Sequence, residues 1–197
     1  MSKDVIKNYL IMIIGAMVIG IGVCFVVYGD LGGDAMTTFQ QGLSVTLNIG
    51  LPTAQIIANG LFVVILFFLD KKSVNIDTIL CPLFITLGCK LTIYVLPTIT
   101  ELALRYVYMI VGIIIVAIGI AIGAQTKSGS NPYDGTVLVV SKMIKKSFSI
   151  VRPICDISLL VIGIILNGSW GVGTIVATFA TGYIANFFMK LISKSTK

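Results

Sequence analysis

The chain has 197 residues, of which 57% are hydrophobic and 11% charged, with a mean hydropathy of +1.05 and a formal net charge of +6. A soluble domain keeps roughly a quarter of its residues charged, so this balance excludes a soluble globular fold and points to a membrane protein. At about 20 residues per crossing, the length suits a single transmembrane domain over 1–197 and leaves no room for a second.

Continuous apolar runs at about 9–28, 51–69, 78–97, 106–124, 150–167 and 172–189 predict six transmembrane helices. The runs are unbroken rather than alternating, and lipid forces each segment to satisfy its own backbone hydrogen bonds, so helices are expected and strands are not. The first run follows Lys3 and Lys7. Its apolar core is longer than that of a secretion signal, and no small-x-small cleavage pattern follows, so it is expected to remain as a helix. The residues ahead of Cys24, Ile21-Gly22-Val23, lack the small residue that a lipoprotein signal places there.

Two stretches are too polar to cross on their own: "GDLGGDAMTTFQQGLSVTLNIG" (29–50), after the first run, and "TKSGSNPYDGTVLVVSKMIKK" (126–146), after the fourth. In the second, Asn131 suits an N-cap, Pro132 the first helical position and Asp134 the first turn, which predicts a short helix over about 132–146. Two placements stay open. Such a helix lies on the cytoplasmic surface with Lys142, Lys145 and Lys146 toward headgroups, or it dips inward as a re-entrant element lining a water-filled path.

With six spans and an inside N-terminus, Lys3, Lys7, Lys71, Lys72, Lys127, Lys142, Lys145, Lys146, Lys190, Lys194 and Lys197 share one side, against Arg105 on the other. By the positive-inside rule both termini are then cytoplasmic. The net positive charge is accounted for by topology and anionic lipid headgroups, with no need for nucleic acid. The four cysteines, Cys24, Cys81, Cys89 and Cys155, all fall in predicted spans at spacings that match no disulfide framework or metal site. The chain has no histidine, which removes HExxH zinc sites and Ser-His-Asp triads, and it has no Walker or dinucleotide fingerprint. No cofactor, no metal and no enzymatic role are expected. An aspartyl protease built on Asp34 and Asp134 is rejected, because the topology puts them on opposite sides and "LGGD" lacks the first glycine of GxGD.

Displacing the chain by 97 positions aligns "NYLIMIIGAMVIGIG" (8–22) with "RYVYMIVGIIIVAIG" (105–119) without a gap. The same register sets Gly32 on Gly129, Asp34 on Asn131, Thr37 on Asp134, Ser44 on Ser141, Gln55 on Arg152 and Asn59 on Asp156. Polar and glycine positions falling in step carry more weight than matched apolar residues. The expected fold is therefore an all-α membrane protein with six spans in a 3+3 inverted repeat. Repeat 1 covers about 8–97 and repeat 2 about 105–192, each with a short amphipathic or re-entrant helix after its first span. Inverted pairs of this kind build many secondary transporters, since rocking one half against the other exposes a central site alternately.

Charge inside the bilayer is costly unless paired or wet, which makes the polar residues of the spans the candidate path. Arg152 and Asp156, four apart, share a helix face, with Asp134 as a further partner for Arg152. Gln55 and Asn59 form the uncharged equivalent in the other half. Lys90 either snorkels or faces Asp34 or a polar cavity. The expected function is a small secondary transporter of an unidentified solute, with Asn131, Tyr133, Asp134, Arg152 and Asp156 on the inner half of its path and Asp34, Gln55 and Asn59 on the outer. The alternative is a membrane protein that recruits a cytosolic partner through the basic surface at Lys142 to Lys146. Oligomeric state stays open, a homo-oligomer included.

The layout of "LGGDAMTTFQQGLS", "SGSNPYDGTVLVVSK", "RPICD" and "GSWGVGTI" resembles the YczE/YyaS/YitT-type bacterial integral membrane proteins over most of the chain. The resemblance implies a multi-pass protein of a bacterial plasma membrane with no settled biochemical activity. It also implies an acidic residue after a proline in both halves; here Asp134 meets that pattern and Thr37 does not.

Overall fold

The computed structural model describes residues 3–97, 99–126 and 131–195. Within them the chain forms eight α-helices and no strand: α1 (Lys3–Gly29), α2 (Ala35–Thr46), α3 (Leu51–Leu69), α4 (Ile76–Ile93), α5 (Leu102–Gly123), α6 (Pro132–Met143), α7 (Phe148–Ile165) and α8 (Val172–Ser195). Lys127, Lys197 and the stretch 127–130 with Gly129 lie outside the described residues. All six apolar runs are helical. Four helices are long and apolar enough to cross a membrane, at Ile6–Gly29, Leu102–Gly123, Phe148–Ile165 and Val172–Ser193, while Thr53–Leu69 and Thr78–Thr92 form a shorter apolar pair.

The packing is that of a protein solvated by hydrocarbon. Large apolar side chains such as Ile56, Phe68, Leu83, Ile165 and Phe187 point outward, while Thr38, Thr78, Thr174, Thr178 and Thr181 are buried. In water that arrangement would expose a prohibitive apolar surface; in lipid it is the expected one. Buried threonines are tolerated because they bond back to their own helix, as Thr178 Oγ1 does to the Thr174 carbonyl at 2.8 Å.

Glycines set how closely the helices approach. Helix α1 lies along α5 and α4, α5 along α8, α2 against α7, and α3 against α6. At the α1–α5 crossing, a Cβ on Gly22 would sit 2.8 Å from the Gly112 carbonyl oxygen, and one on Gly119 would sit 2.9 Å from the Gly15 carbonyl oxygen. Gly20 meets α4 in the same way, its Cβ position falling 2.0 Å from the Ile85 carbonyl oxygen. The core spanning these contacts gathers Ile19, Phe39, Phe62, Ile120, Val137 and Val151.

Built detail recurs at the 97-residue displacement. Ser44 Oγ donates to the Ile49 carbonyl at 2.6 Å, and Ser141 Oγ donates to the Lys146 carbonyl at 2.6 Å. The residues that end these short helices, Asn48 and Lys145, both adopt left-handed backbone, with φ of 52° and 54°. The matching N-caps agree too: Asp34 accepts from the Thr37 amide and Asn131 from the Asp134 amide, both at 2.8 Å.

The short helices are not alike in depth. Helix α6 buries every residue from 132 to 137, so it enters the bundle by its N-terminus and does not lie flat, while Lys142 and Met143 at its far end are exposed. The loop ahead of α2 is held by the start of α8, where the Gly173 amide donates to the Leu31 carbonyl at 2.7 Å. There Gly32 takes φ 104°, with its Cβ position 2.7 Å from the Gly171 nitrogen, so no other residue fits. Outside the bundle, Asp70 caps the turn between α3 and α4, and the Ser73 hydroxyl that it accepts from at 2.7 Å holds its carboxyl below the usual carboxylate range.

Glycine-to-alanine changes separate contact from propensity. Gly20→Ala is expected to lose about 1–3 kcal/mol through backbone overlap with α4. Gly60→Ala, with nothing within 4 Å of its Cβ position, is expected to match the parent or gain up to about 1 kcal/mol. Thermal unfolding of the two purified proteins in one detergent checks the contrast.

Candidate functional site

The site begins where α6 enters the bundle. Asn131 caps the helix with its side-chain oxygen, and its Nδ2 donates to Asp134 Oδ2 at 2.6 Å. Pro132 at the first position needs no amide partner, and Asp134 in the first turn faces the positive end of the helix dipole. This local chemistry fixes Asp134 with no exposed surface at all.

Helix α7 supplies the counter-charge. Arg152 Nη1 donates to Asp134 Oδ1, and Arg152 Nε donates to Asp156 Oδ2 at 3.0 Å from one turn away on the same helix. The Tyr133 hydroxyl donates to Asp156 Oδ1. The guanidinium carbon lies 4.8 Å from the centre of the Tyr133 ring and 5.8 Å from that of Phe148. Phe62 of α3 packs edge-on against Tyr133 at 4.9 Å, and the bare backbone of Gly182 lets α8 pass beside the Arg152 stem. Arg152, Asp156 and Tyr133 are each only 3% exposed, so the charges sit in a medium where an unpaired one is prohibitive.

The other half offers a neutral counterpart. Asn59 Nδ2 donates to the Gln55 carbonyl at 2.8 Å on the half-buried face of α3, and Thr37 Oγ1 donates to Asp34 Oδ1 at 2.6 Å. Asp34, Thr37 and Gly33 border a narrow cavity walled by Val23, Val26, Val116 and Thr181 of α1, α5 and α8. The cavity, of about 20 Å³, has room for a water molecule. Asp34 lies within electrostatic reach of both Arg152 and Asp156.

Five of the residues singled out in the sequence thus come together: Asn131, Tyr133, Asp134, Arg152 and Asp156. Asp34 borders the cavity, and Asn59 bonds back to the Gln55 backbone carbonyl on its own helix. Helix α4 stops at Ile93, short of the expected 97, and Lys90 is exposed in its last turn and absent from the cavity lining, which fits the snorkelling placement and not the one at the cavity. The turn at Tyr94 and Val95 ahead of Pro97 ends the helix early. Phe148, Phe62, Thr181 and Gly182 belong to the site without having been singled out. Phe148 lies one helical turn before Arg152 and was within reach of the i,i+4 argument, whereas Phe62 and Gly182 arrive through tertiary packing alone.

A family model described as "Family of unknown function (DUF6198)" matches residues 6–190. The chain belongs to this family. It is 24% identical to a Haemophilus influenzae protein named "Uncharacterized protein", over 95% of this chain and 86% of that one. It is 21% identical to "Uncharacterized protein YyaS" of Bacillus subtilis, over 95% and 94% of the two chains. The YyaS-type resemblance read from the glycine-rich motifs is therefore right. No solved structure matches the chain.

Removing one carboxylate should cost more than removing the whole cluster. Asp134→Ala strands half of the guanidinium and is expected to destabilise by about 3–5 kcal/mol. The triple change Asp134→Leu, Arg152→Met, Asp156→Leu is expected to return most of that loss. Thermal unfolding in detergent, compared across the three proteins, decides whether the cluster is a net stabiliser.

Proposed function

We propose that this DUF6198 member is a small secondary transporter of a bacterial plasma membrane, built as a 3+3 inverted repeat of six spans. In this reading α1, α3 and α4 form one half and α5, α7 and α8 the other, and α2 and α6 are re-entrant helices that meet the path from opposite sides. The observation that carries it is the recurrence, 97 residues apart, of helix caps, serine–carbonyl bonds and left-handed helix ends. The packing supports it as well, because the short helix of each half lies against the second long helix of the other. An exchange of that kind is what a two-fold axis in the membrane plane produces.

Two similar halves with different charges make two unequal gates. On one side Arg152, Asp134, Asp156 and Tyr133 lock α6 onto α7; on the other, Asn59 bonds back to the Gln55 backbone within α3 and Thr37 to Asp34 within the α2 cap, and α2 packs on α3 without an ion pair among the described residues. The locked side is the inner one, since basic residues accumulate on the face of Lys142, Lys145 and Lys146 and the termini share it. The lone basic residue assigned outside, Arg105, is paired with Asp30 at 2.8 Å, which weakens any pull it exerts on orientation. Opening the inner gate requires the ion cluster to part, and a solute or ion that engages its carboxylates supplies the differential affinity for that change.

Thiol labelling tests the arrangement. In a background freed of the four native cysteines, Leu47→Cys should react with an impermeant maleimide from outside whole cells, and Lys145→Cys only from the cytoplasmic face. Labelling of both from one side overturns the inverted repeat. Reconstituted vesicles should pass a member of a panel of ions, amino acids and amines, with flux lost in the folded Asp156→Asn protein. No flux for any of them overturns transport.

A further inference from the structure

Helix α4 rests almost wholly on α1, with only slight contact to α3 and α6. Contacts along this seam climb together on both helices. Met12 and Ala16 pack with Cys81, a Cβ on Gly20 would lie 2.8 Å from the Cys89 nitrogen, and one on Gly88 would lie 3.0 Å from the Met17 Cα. The two helices therefore run parallel with their backbones touching. Helices held apart by larger side chains stand about 8–10 Å from axis to axis, whereas a disulfide needs its Cα atoms within roughly 4–7 Å. Backbone contact at Gly20 and Gly88 draws the seam toward the second distance.

Cys24 follows Gly20 by one turn on the same face of α1, and across the seam its thiol meets that of Cys89. Both are free thiols; Cys24 is 1% exposed and Cys89 is half-buried. Cys81 lies about two turns earlier on α4 and Cys155 lies on α7, which leaves Cys24 and Cys89 as the facing pair. The 97-residue register puts Ala121 and Asn186 at the equivalent positions, so the facing thiols belong to one half alone.

We propose that Cys24 and Cys89 are a dithiol pair that a hydroperoxide dissolved in the bilayer converts to a disulfide, clamping α4 to α1. Cys89, the more open of the two, attacks a peroxide oxygen; the O–O bond breaks, an alcohol leaves with the thiol proton, and Cys89 becomes a sulfenic acid. The Cys24 sulfur then attacks the Cys89 sulfur, and the hydroxyl leaves with the Cys24 proton as water. The thiols lose two hydrogens and two electrons between them, and the hydroperoxide takes them up as alcohol and water. The product is neutral, which suits an apolar seam; a metal held by both thiolates would leave a buried negative charge there. The attacking thiolate is itself costly in that medium, so the reaction is slow and the bond, once made, long-lived. Cys24 and Cys89 lie within about 8 Å of the ends of their helices at Gly29 and Ile93. In the orientation proposed above, on which this point alone rests, those ends face outward, where disulfides persist.

Oxidation of the reconstituted full chain tests the pair. The protein is held with tert-butyl hydroperoxide and denatured, and its remaining thiols are counted by maleimide–polyethylene glycol mobility shift and mapped by peptide mass spectrometry. It should keep two of its four thiols, yield a peptide joining Cys24 to Cys89 within one chain, and regain both thiols with dithiothreitol. Its unfolding midpoint should rise by roughly 5–15 °C over that of the reduced protein. In Cys24→Ala the joined peptide should be absent and dimedone should trap Cys89 as its sulfenic acid. Survival of all four thiols in the parent, a bond to Cys81 or Cys155 instead, or a joined peptide found only between chains overturns the pair. A Cys24–Cys89 bond that leaves the midpoint unchanged overturns the clamp. None of these outcomes depends on flux, so the pair and the transport reading fail separately.

Discussion

An arginine buried in a hydrocarbon-solvated bundle has to be paired, and much of this structure follows from how Arg152 is paired. The cost of leaving a guanidinium alone in such a medium is several kcal/mol, so its partners must be delivered accurately. One comes from its own helix, Asp156 a turn away. The other comes from α6, whose cap and proline aim Asp134 inward. The need for that second partner explains why α6 is buried from its first residue, and why the polar "NPYD" stretch sits between two apolar runs. Tyr133 completes the arrangement from the same turn, with its hydroxyl on Asp156 and its ring against the guanidinium.

Close helix approach then becomes necessary elsewhere. Lipid supplies no hydrophobic drive to press helices together, so the halves are joined by backbone contact at glycines. Gly15, Gly22, Gly112 and Gly119 do this at the α1–α5 seam, and Gly42 and Gly163 do it where α2 meets α7. The ion cluster crosses a different boundary, between α6 and α7, and ties the short helix down. A bundle assembled this way has a small-residue seam between α1 and α5 and, separately, an ion-paired joint between α6 and α7.

The sequence made much of this legible because membrane constraints act locally. Apolar runs long enough to cross, caps such as Asn131, and the i,i+4 spacing of Arg152 and Asp156 are each readable within a few residues. The 97-residue register sets Ser44 on Ser141, and the same hydrogen bond at both is a physical match rather than a compositional one. What stayed hidden depended on chain reversal and on tertiary contact. The end of α4 at Ile93 turned on how far an apolar stretch persists before Pro97, a question that hydropathy answers poorly. Phe62 and Gly182 have no local signature, since an aromatic or a glycine within a span reads as packing until a neighbour gives it a task.

The features that recur 97 residues apart differ most visibly in charge. Backbone features persist in both halves: the capped short helix, its left-handed end, the glycines of the first long helix. The side chains at equivalent positions have moved apart, from Thr37, Gln55 and Asn59 to Asp134, Arg152 and Asp156. A neutral hydrogen-bonded gate can open at little electrostatic cost, whereas a latched one separates a guanidinium from its carboxylates and must rehydrate both. On the transport reading, the side without an ion pair is therefore the easier of the two to open.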